Sequence, residues 1–385
     1  MRRFLQELQD FPKKGDMVLL LLTLITSAFG LIAIASSTAA PKFEGSIRYI
    51  IIQAASICLG VIVYAIISSI DIESMAERRN LFVVFNTILL LMLIPFGVDR
   101  GGNKSWLDFP LLPVNIQPAE ICKITYIIIM ASVMNARKNT ISSFPSVIEM
   151  VIHLGMLVVL NLALSKDMGV SLIFVFIFIG MTFAGGVHIG WFIAAISAIV
   201  VAIPVVFPFL GEHQQQRIMV LIDPSYDALG TGARYHAKIN MLSLTGGGLT
   251  GQGLFDGNRT QGGLLYAQHT DYIFSSMGEE LGFLGCVLIM VMEFAIIARC
   301  IYVGVKAQDY IRRLVCYGAA SALIFQVMIN VGMCIGVMPV IGLTLPLISY
   351  GGSSVVTIFA MLGLVSGSHA RPSSLSHERY IQPYR

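Results

Sequence analysis

Three stretches of this chain bring titratable and hydrogen-bonding side chains together at spacings that could carry chemistry. The first is His269-Thr270-Asp271-Tyr272-Ile273-Phe274, followed by Gly278-Glu279-Glu280-Leu281-Gly282. Asp271 precedes a long apolar run by about ten residues, in a half-apolar segment where partial desolvation suits a carboxylate to take a proton from a hydroxyl. The same residue reads equally as a helix-start charge. Glu279 and Glu280 fit that second role, because acidic side chains near a helix start complement its dipole.

The second stretch is Gln117-Pro118-Ala119-Glu120, with Lys123 three residues on. Proline suits the first turn of a helix, and Glu120 and Lys123 then share one face. The pair is either a packing ion pair or the polar wall of a substrate path. The cost of ionisable groups at membrane depth favours the second. The third stretch runs from Asn330 to Ser353 and contains Pro339, Gly342, Pro346, Ser349, Tyr350, Gly351 and Gly352. Its prolines and glycines break a helix, and irregular backbone at that depth is either a packing corner or a cavity wall. A fourth pattern, Gly246-Gly247-Gly248-Leu249-Thr250-Gly251, satisfies G-x-G-x-x-G but has no β-rich strand before it, so it reads as tightly turning backbone and no nucleotide site is expected.

The elements that must position these residues follow from composition. Of 385 residues 56% are hydrophobic and only 12% charged, with a mean hydropathy of +0.79, too few polar groups to cover a water-facing surface. The net charge of +3 gives no reason to expect a nucleic-acid partner. The six cysteines lie in apolar runs without C-x-x-C pairing and read as buried small hydrophobes. The first apolar run, from about Met17, is long enough to span a bilayer and is read as a retained span, not a cleaved leader.

Apolar runs predict an all-α integral membrane protein of ten transmembrane helices, at 17–37, 48–69, 80–97, 119–135, 146–164, 169–185, 189–210, 281–303, 314–335 and 351–368. With the N-terminus in the cytoplasm, the inner segments hold fifteen Lys and Arg and the short outer loops five, as the positive-inside rule requires. Residues 1–16 and 369–385 are then cytoplasmic ends of a single membrane domain. Residues 211–280 form one long extracytoplasmic loop between the seventh and eighth spans. That loop carries seven of the 22 acidic residues, and its length implies a function of its own.

Together these motifs resemble the SEDS family of bacterial membrane proteins, of the RodA, FtsW and SpoVE types, over nearly the whole chain. The resemblance is carried by P-x-x-G-x-x-L-P-x-x-S-Y-G-G-S at Pro339 to Ser353, T-D-Y-I-F-x5-E-E-L-G at Thr270 to Gly282, Q-P-A-E-x-x-K at Gln117 to Lys123, and Arg217 with Asp223-Pro224. It implies a ten-helix fold in the bacterial cytoplasmic membrane. It also implies a peptidoglycan glycosyltransferase that polymerises lipid II and releases undecaprenyl pyrophosphate, with a class B penicillin-binding protein as transpeptidase partner. Asp271 occupies the family's catalytic position. Glu120, Lys123, Arg217, His269, Thr270, Ser349, Tyr350, Gly351, Gly352 and Ser353 are the expected substrate-binding residues, and Mg2+ or Mn2+ is a candidate cofactor of unassigned ligands.

Three positions depart from the family pattern. Where it usually reads G-A-x-R-W, this chain has Gly102-Asn103-Lys104-Ser105-Trp106, in which Lys104 could supply the missing charge. Q-P-D-x-G becomes Ser165-Lys166-Asp167-Met168-Gly169, and L-P-E becomes Leu265-Tyr266-Ala267. The competing readings are a flippase for a lipid-linked precursor, which also needs broken helices and charges at membrane depth, and a non-catalytic scaffold for the partner. Partner packing is expected on the eighth and ninth spans, through Phe283, Leu288, Ile296, Leu323 and Phe325. The orientation makes a direct prediction. In a cysteine-free background, Asn258→Cys should react with an impermeant thiol reagent on intact spheroplasts; labelling only after lysis would invert the topology.

Overall fold

The computed structural model describes residues 15–43, 47–100, 103–108, 116–209, 215, 219 and 233–369. Arg217, Asp223-Pro224 and most of both expected cytoplasmic ends lie outside the described residues. Seven segments are long and apolar enough to cross a membrane. They are α1 (Met17–Ser37), α2 (Arg48–Ser68), the stretch Arg79–Phe96, α6 (Pro118–Ala136), α7 (Phe144–Ser165), α12 (Ile273–Lys306) and α13 (Tyr310–Cys334). The third of these divides into α4 (Arg79–Leu91) and α5 (Leu93–Phe96), and the short α3 (Ile72–Glu77) precedes it. Three shorter apolar helices, α8 (Met168–Ala184), α9 (Ile189–Val206) and α14 (Gly352–Ser368), complete the expected ten spans.

An antiparallel hairpin, β1 (Gly97–Arg100) and β2 (Asn103–Leu107), stands between the third and fourth spans. The alternation there is too short to have separated it from loop in the sequence. Before α12 come α10 (Ala233–Gly246) and the single turn α11 (Asn258–Gln261). Helices α6 and α13 are the most enclosed of the long spans, each 72% buried, against 17% for Arg79–Phe96. With α14 they form the interior, around which the other spans turn exposed Leu, Ile, Val and Phe side chains outward. All six cysteines are free, and Cys58 is exposed.

Which apolar faces point outward could not be read from composition. Phe283 and Leu288 are 60% and 47% exposed, and Leu284, Val287, Val291 and Phe294 extend the same outward face of α12. Ile296, Leu323 and Phe325, expected to meet a partner, are instead buried, with Phe325 stacked on Phe176 at 3.8 Å. The partner-facing expectation therefore contracts to the α12 face.

Ion pairs tie helix ends together. Arg299 holds the buried Asp16 at 2.8 Å, joining α12 to the start of α1, and Arg312 holds Glu73 at 2.6 Å, joining α13 to α3. Glu149 on α7 faces both Arg137 at 2.8 Å and Arg79 at 3.6 Å. All these residues lie on the side that the basic-residue count assigns to the cytoplasm.

Helix α12 begins at Ile273, eight residues earlier than the predicted span, and breaks at Gly282, whose φ of 69° lies in the left-handed region that favours glycine. The break frees backbone groups, and the glycine motif supplies their partners. Phe283 N donates to Gly248 O at 2.9 Å and Leu284 N to Leu249 O at 3.2 Å, while Gln252 N and Gly253 N donate to Glu279 O and Glu280 O, each at 3.0 Å. A Cβ on Gly282 would come within 2.3 Å of Gly251 N, so the two chains meet backbone to backbone. The G-x-G-x-x-G pattern is thus a splice across a broken helix.

This changes the reading of Glu279 and Glu280. Neither is a helix-start charge, since both lie beyond the first turn of α12 and are fully buried. The Glu279 carboxylate accepts from Thr260 N at 2.8 Å, Thr260 Oγ1 at 2.7 Å and Arg259 N at 3.0 Å. Glu280 accepts from Gln261 Nε2 at 2.7 Å and from the Ser36 hydroxyl. They are anchors that bind α11 and its flanking loop to the end of α1.

Candidate active site

Asp271 sits on a turn between Leu265 and α12. Ala267, at φ 45°, accepts from Thr270 N at 3.1 Å and Tyr272 N at 3.3 Å, which folds the segment back on itself. Its next three carbonyls are then held by the broken stretch between α13 and α14. His269 O accepts from Tyr350 N at 2.9 Å, Thr270 O from Ser349 Oγ at 2.7 Å, and Asp271 O from Asn330 Nδ2 at 2.8 Å. Asn330 Nδ2 also reaches Leu343 O at 2.7 Å, and Ser349 Oγ accepts from Leu345 N at 2.8 Å. From α2, the fully buried Gln53 donates to Ser349 O and accepts from Gly351 N, both at 3.2 Å. The motifs around Asp271 and Tyr350 are therefore one hydrogen-bonded unit.

The unit forms part of the wall of a cavity of about 990 Å³, at the upper end of the range for small-molecule sites. Asp271, half-buried, looks onto it, with Gly342 close to its carboxylate. Glu120, which lines the same cavity, is held by Lys123 Nζ at 2.8 Å and Thr357 Oγ1 at 3.0 Å. Asp167 caps α8 through Val170 N at 3.1 Å and accepts from Gln117 Nε2 at the same distance. Burial raises the Asp167 carboxyl above its ordinary pKa despite those hydrogen bonds, and the nearby Glu120 charge adds to the rise.

Lys42, from the connection between α1 and α2, and Arg48, the first residue of α2, bring positive charge to the same cavity. Lys42 Nζ donates to Gly263 O at 3.2 Å and to Leu265 O, and burial lowers its pKa. Beside them is a cluster of rings. His269 meets Phe43 at 4.9 Å and Tyr49 at 5.1 Å, and Tyr49 meets Tyr350 at 5.1 Å, all edge-on. Burial first, and the Lys42 charge second, push the His269 pKa down to about 4, so its ring is neutral at neutral pH.

Of the residues expected from sequence, Asp271, Glu120, His269, Thr270, Tyr350, Gly351, Gly352 and Ser353 line this one cavity. Lys123 does not. It stands behind Glu120 beside a narrow crevice with Thr357, as the ion-paired partner. Ser349 likewise turns into the loop, where it holds Thr270 O. At the first departure from the family pattern, Ser105 and Trp106 of β2 line the cavity, whereas Lys104 donates to Ile94 O at 2.9 Å and does not line it. Among the described residues no three His, Cys, Asp or Glu side chains come together as a metal site.

Lys42, Arg48, Tyr49, Gln53 and Gln326 escaped the sequence reading. Lys42 and Arg48 are among the five basic residues of the short outer loops, where sequence gives them no more than a topological meaning. Gln53 and Gln326 carried a usable signal, since each is a polar side chain inside an otherwise apolar span.

The sequence profile FTSW_RODA_SPOVE, described as cell cycle protein, matches residues 16–373. The chain belongs to this family. Among its relatives, peptidoglycan glycosyltransferase MrdB of Escherichia coli is 30% identical over 329 residues, covering 83% of this chain and 85% of the relative. A probable peptidoglycan glycosyltransferase FtsW of Thiomicrospira cyclica is 32% identical over 360 residues, covering 91% and 90%. Among solved structures, a chain from a study of the coordination of polymerization and crosslinking by a peptidoglycan synthase complex superposes with a TM-score of 0.78 at 25% identity, covering 96% and 99%. The rod shape determining protein RodA of Thermus thermophilus does so with a TM-score of 0.67 at 24% identity, covering 92% and 96%. These matches agree with the all-α membrane fold of about ten spans.

The neutral His269 generates a pH prediction. Between its ordinary pKa of 6.5 and about 4, the unfolded chain binds more protons at this residue than the folded one. Stability therefore falls as pH drops through that window and loses nothing further from this group below it. His269→Phe keeps a ring and removes the titration, so its melting temperature in detergent should decline less steeply from pH 6.5 to 4 than that of the unaltered chain. Identical slopes would contradict the assignment.

Proposed function

We propose that this chain is a peptidoglycan glycosyltransferase that polymerises lipid II at the outer face of the bacterial cytoplasmic membrane, with both termini in the cytoplasm. The observation that carries the proposal is the position of Asp271, a carboxylate on a backbone held at three successive carbonyls, facing a large cavity of mixed polar and apolar lining. Membership of a family whose relatives bear that activity in their names supports it.

In the reaction, the 4-hydroxyl of the acceptor sugar attacks the anomeric carbon of the donor. A carbon–oxygen bond forms there as the bond to the pyrophosphate breaks, with inversion, and undecaprenyl pyrophosphate leaves. Asp271 takes the hydroxyl proton. Lys42 and Arg48 offset the charge that develops on the pyrophosphate. Lys123 is less suited to that task, because Glu120 already neutralises it. The pair instead fixes the Glu120 carboxylate at the cavity wall, where a charge without a partner would be costly.

The partner in this proposal is a single-span class B penicillin-binding protein, whose transmembrane helix packs on the outward face of α12 around Phe283, Leu288 and Val291. Support comes from the solved neighbour that belongs to a peptidoglycan synthase complex, in which polymerization and crosslinking are coordinated. Turnover separates this reading from its competitors, since a flippase needs a sealed bilayer and a scaffold consumes nothing.

Asp271→Asn keeps the shape and removes the base. It should lower the rate of lipid II polymerisation by about 100- to 10,000-fold and leave folding intact, whereas Asp256→Asn, exposed in the same loop region, should not change the rate. A folded Asp271→Asn chain that polymerises at the unaltered rate would exclude Asp271 as the base.

A further inference from the structure

Among the described residues, the buried polar atoms without hydrogen-bond partners on residues that line the cavity include His269 Nδ1, Gln326 Oε1 and Ser353 Oγ. Buried polar groups in folded proteins are nearly always satisfied, so a set of exceptions around one cavity marks where a ligand supplies the missing partners. Gln326 is the most telling of the three. It is 1% exposed, inside a membrane-spanning helix, and its carbonyl oxygen accepts nothing.

Its place on α13 relates it to the chemistry. Gln326 lies four residues before Asn330 and therefore on the same face, about 6 Å along the helix axis. Asn330 is the residue that holds the backbone of Asp271. A group bound at Gln326 is thus about one helical turn from the residue that positions the base, within reach of a substituent next to the reacting carbon of a sugar. The three orphan atoms are electrically neutral, His269 included, so they suit an uncharged group and leave the pyrophosphate to Lys42 and Arg48. A side-chain amide offers both an acceptor and a donor, which complements another amide. The soft terminal torsion of glutamine lets it turn its oxygen toward the cavity. Val340 and Leu343, also in the wall, can receive a methyl group.

We propose that Gln326, with Ser353 and His269 of the same cavity, recognises the 2-acetamido group of the donor sugar whose anomeric carbon reacts, and so makes the site selective for N-acetylated substrates. This rests on the reading of lipid II as the substrate.

The test compares lipid II with an analogue whose 2-acetamido N–H, on the sugar that bears the pyrophosphate, is replaced by an ester oxygen. Both are supplied to the purified full-length chain with its co-purifying partner retained. The unaltered chain should lose about 10- to 100-fold in kcat/KM on the ester, the range expected when a buried acceptor is left unpaired. Gln326→Met, an apolar side chain of similar length, should lose about as much on lipid II and should then use both substrates within about 2-fold of each other. If that variant does not purify as a folded, monodisperse protein, Gln326→Asn, which withdraws the amide by one methylene, takes its place with the same expected loss of preference. Equal use of both substrates by the unaltered chain, or an unchanged preference in the variant, would overturn the proposal while leaving the glycosyltransferase reading in place. Failure of the unaltered chain to polymerise lipid II at all would overturn both.

Discussion

Backbone that leaves helical geometry within an apolar environment must find a partner for every amide and carbonyl it frees, because no water is available to supply one. In this chain the stretch between α13 and α14 and the turn before α12 satisfy that requirement for each other. Tyr350 N, Ser349 Oγ and Asn330 Nδ2 take the three carbonyls from His269 to Asp271, and Gln53 closes the far side through Ser349 and Gly351. Two irregular segments, each costly alone, become one rigid wall. A carboxylate fixed in this way loses little freedom when a hydroxyl approaches, which is what positioning contributes to a group-transfer step.

A second splice secures the wall from the other end. The break at Gly282 is bridged by the glycine run from Gly247 to Gly253, and Glu279 and Glu280 hold the loop around Thr260 and Gln261 to α1. Asp271 therefore stands at the head of a short helix clamped on both sides. The outward apolar face of the same α12 begins at Phe283, one residue past the break. A helix docking there would touch the element that directly follows Asp271.

The sequence made the site's local motifs legible because their chemistry is local. An aspartate at the edge of an apolar run and a proline-glycine break at membrane depth each announce themselves within a few residues. Lys42 and Arg48 did not, since only the packing of the α1–α2 connection against the Leu265–Tyr272 turn brings them to the cavity. Glu279 and Glu280 were misread for a related reason. A carboxylate near an apolar run suits a helix start or a buried anchor equally, and only its acceptor geometry decides. The span count was recoverable, but the direction each face points was not, as Ile296, Leu323 and Phe325 show. Lipid and protein interior are equally apolar, so hydropathy carries no contrast between them.

The central claim is that catalysis depends on the carbonyl clamp that fixes Asp271, and Asn330 is its most direct probe because its amide holds Asp271 O and Leu343 O together. Steady-state polymerisation by Asn330→Leu, in a preparation shown to be folded by its melting transition, separates positioning from binding. The account predicts a fall in kcat of at least about 10-fold, the loss expected when a near-attack geometry relaxes, with the KM for lipid II within about 2-fold of the unaltered value and partial recovery of kcat in Asn330→Gln. An unchanged kcat in the folded Asn330→Leu chain, or a loss confined to KM, would contradict it.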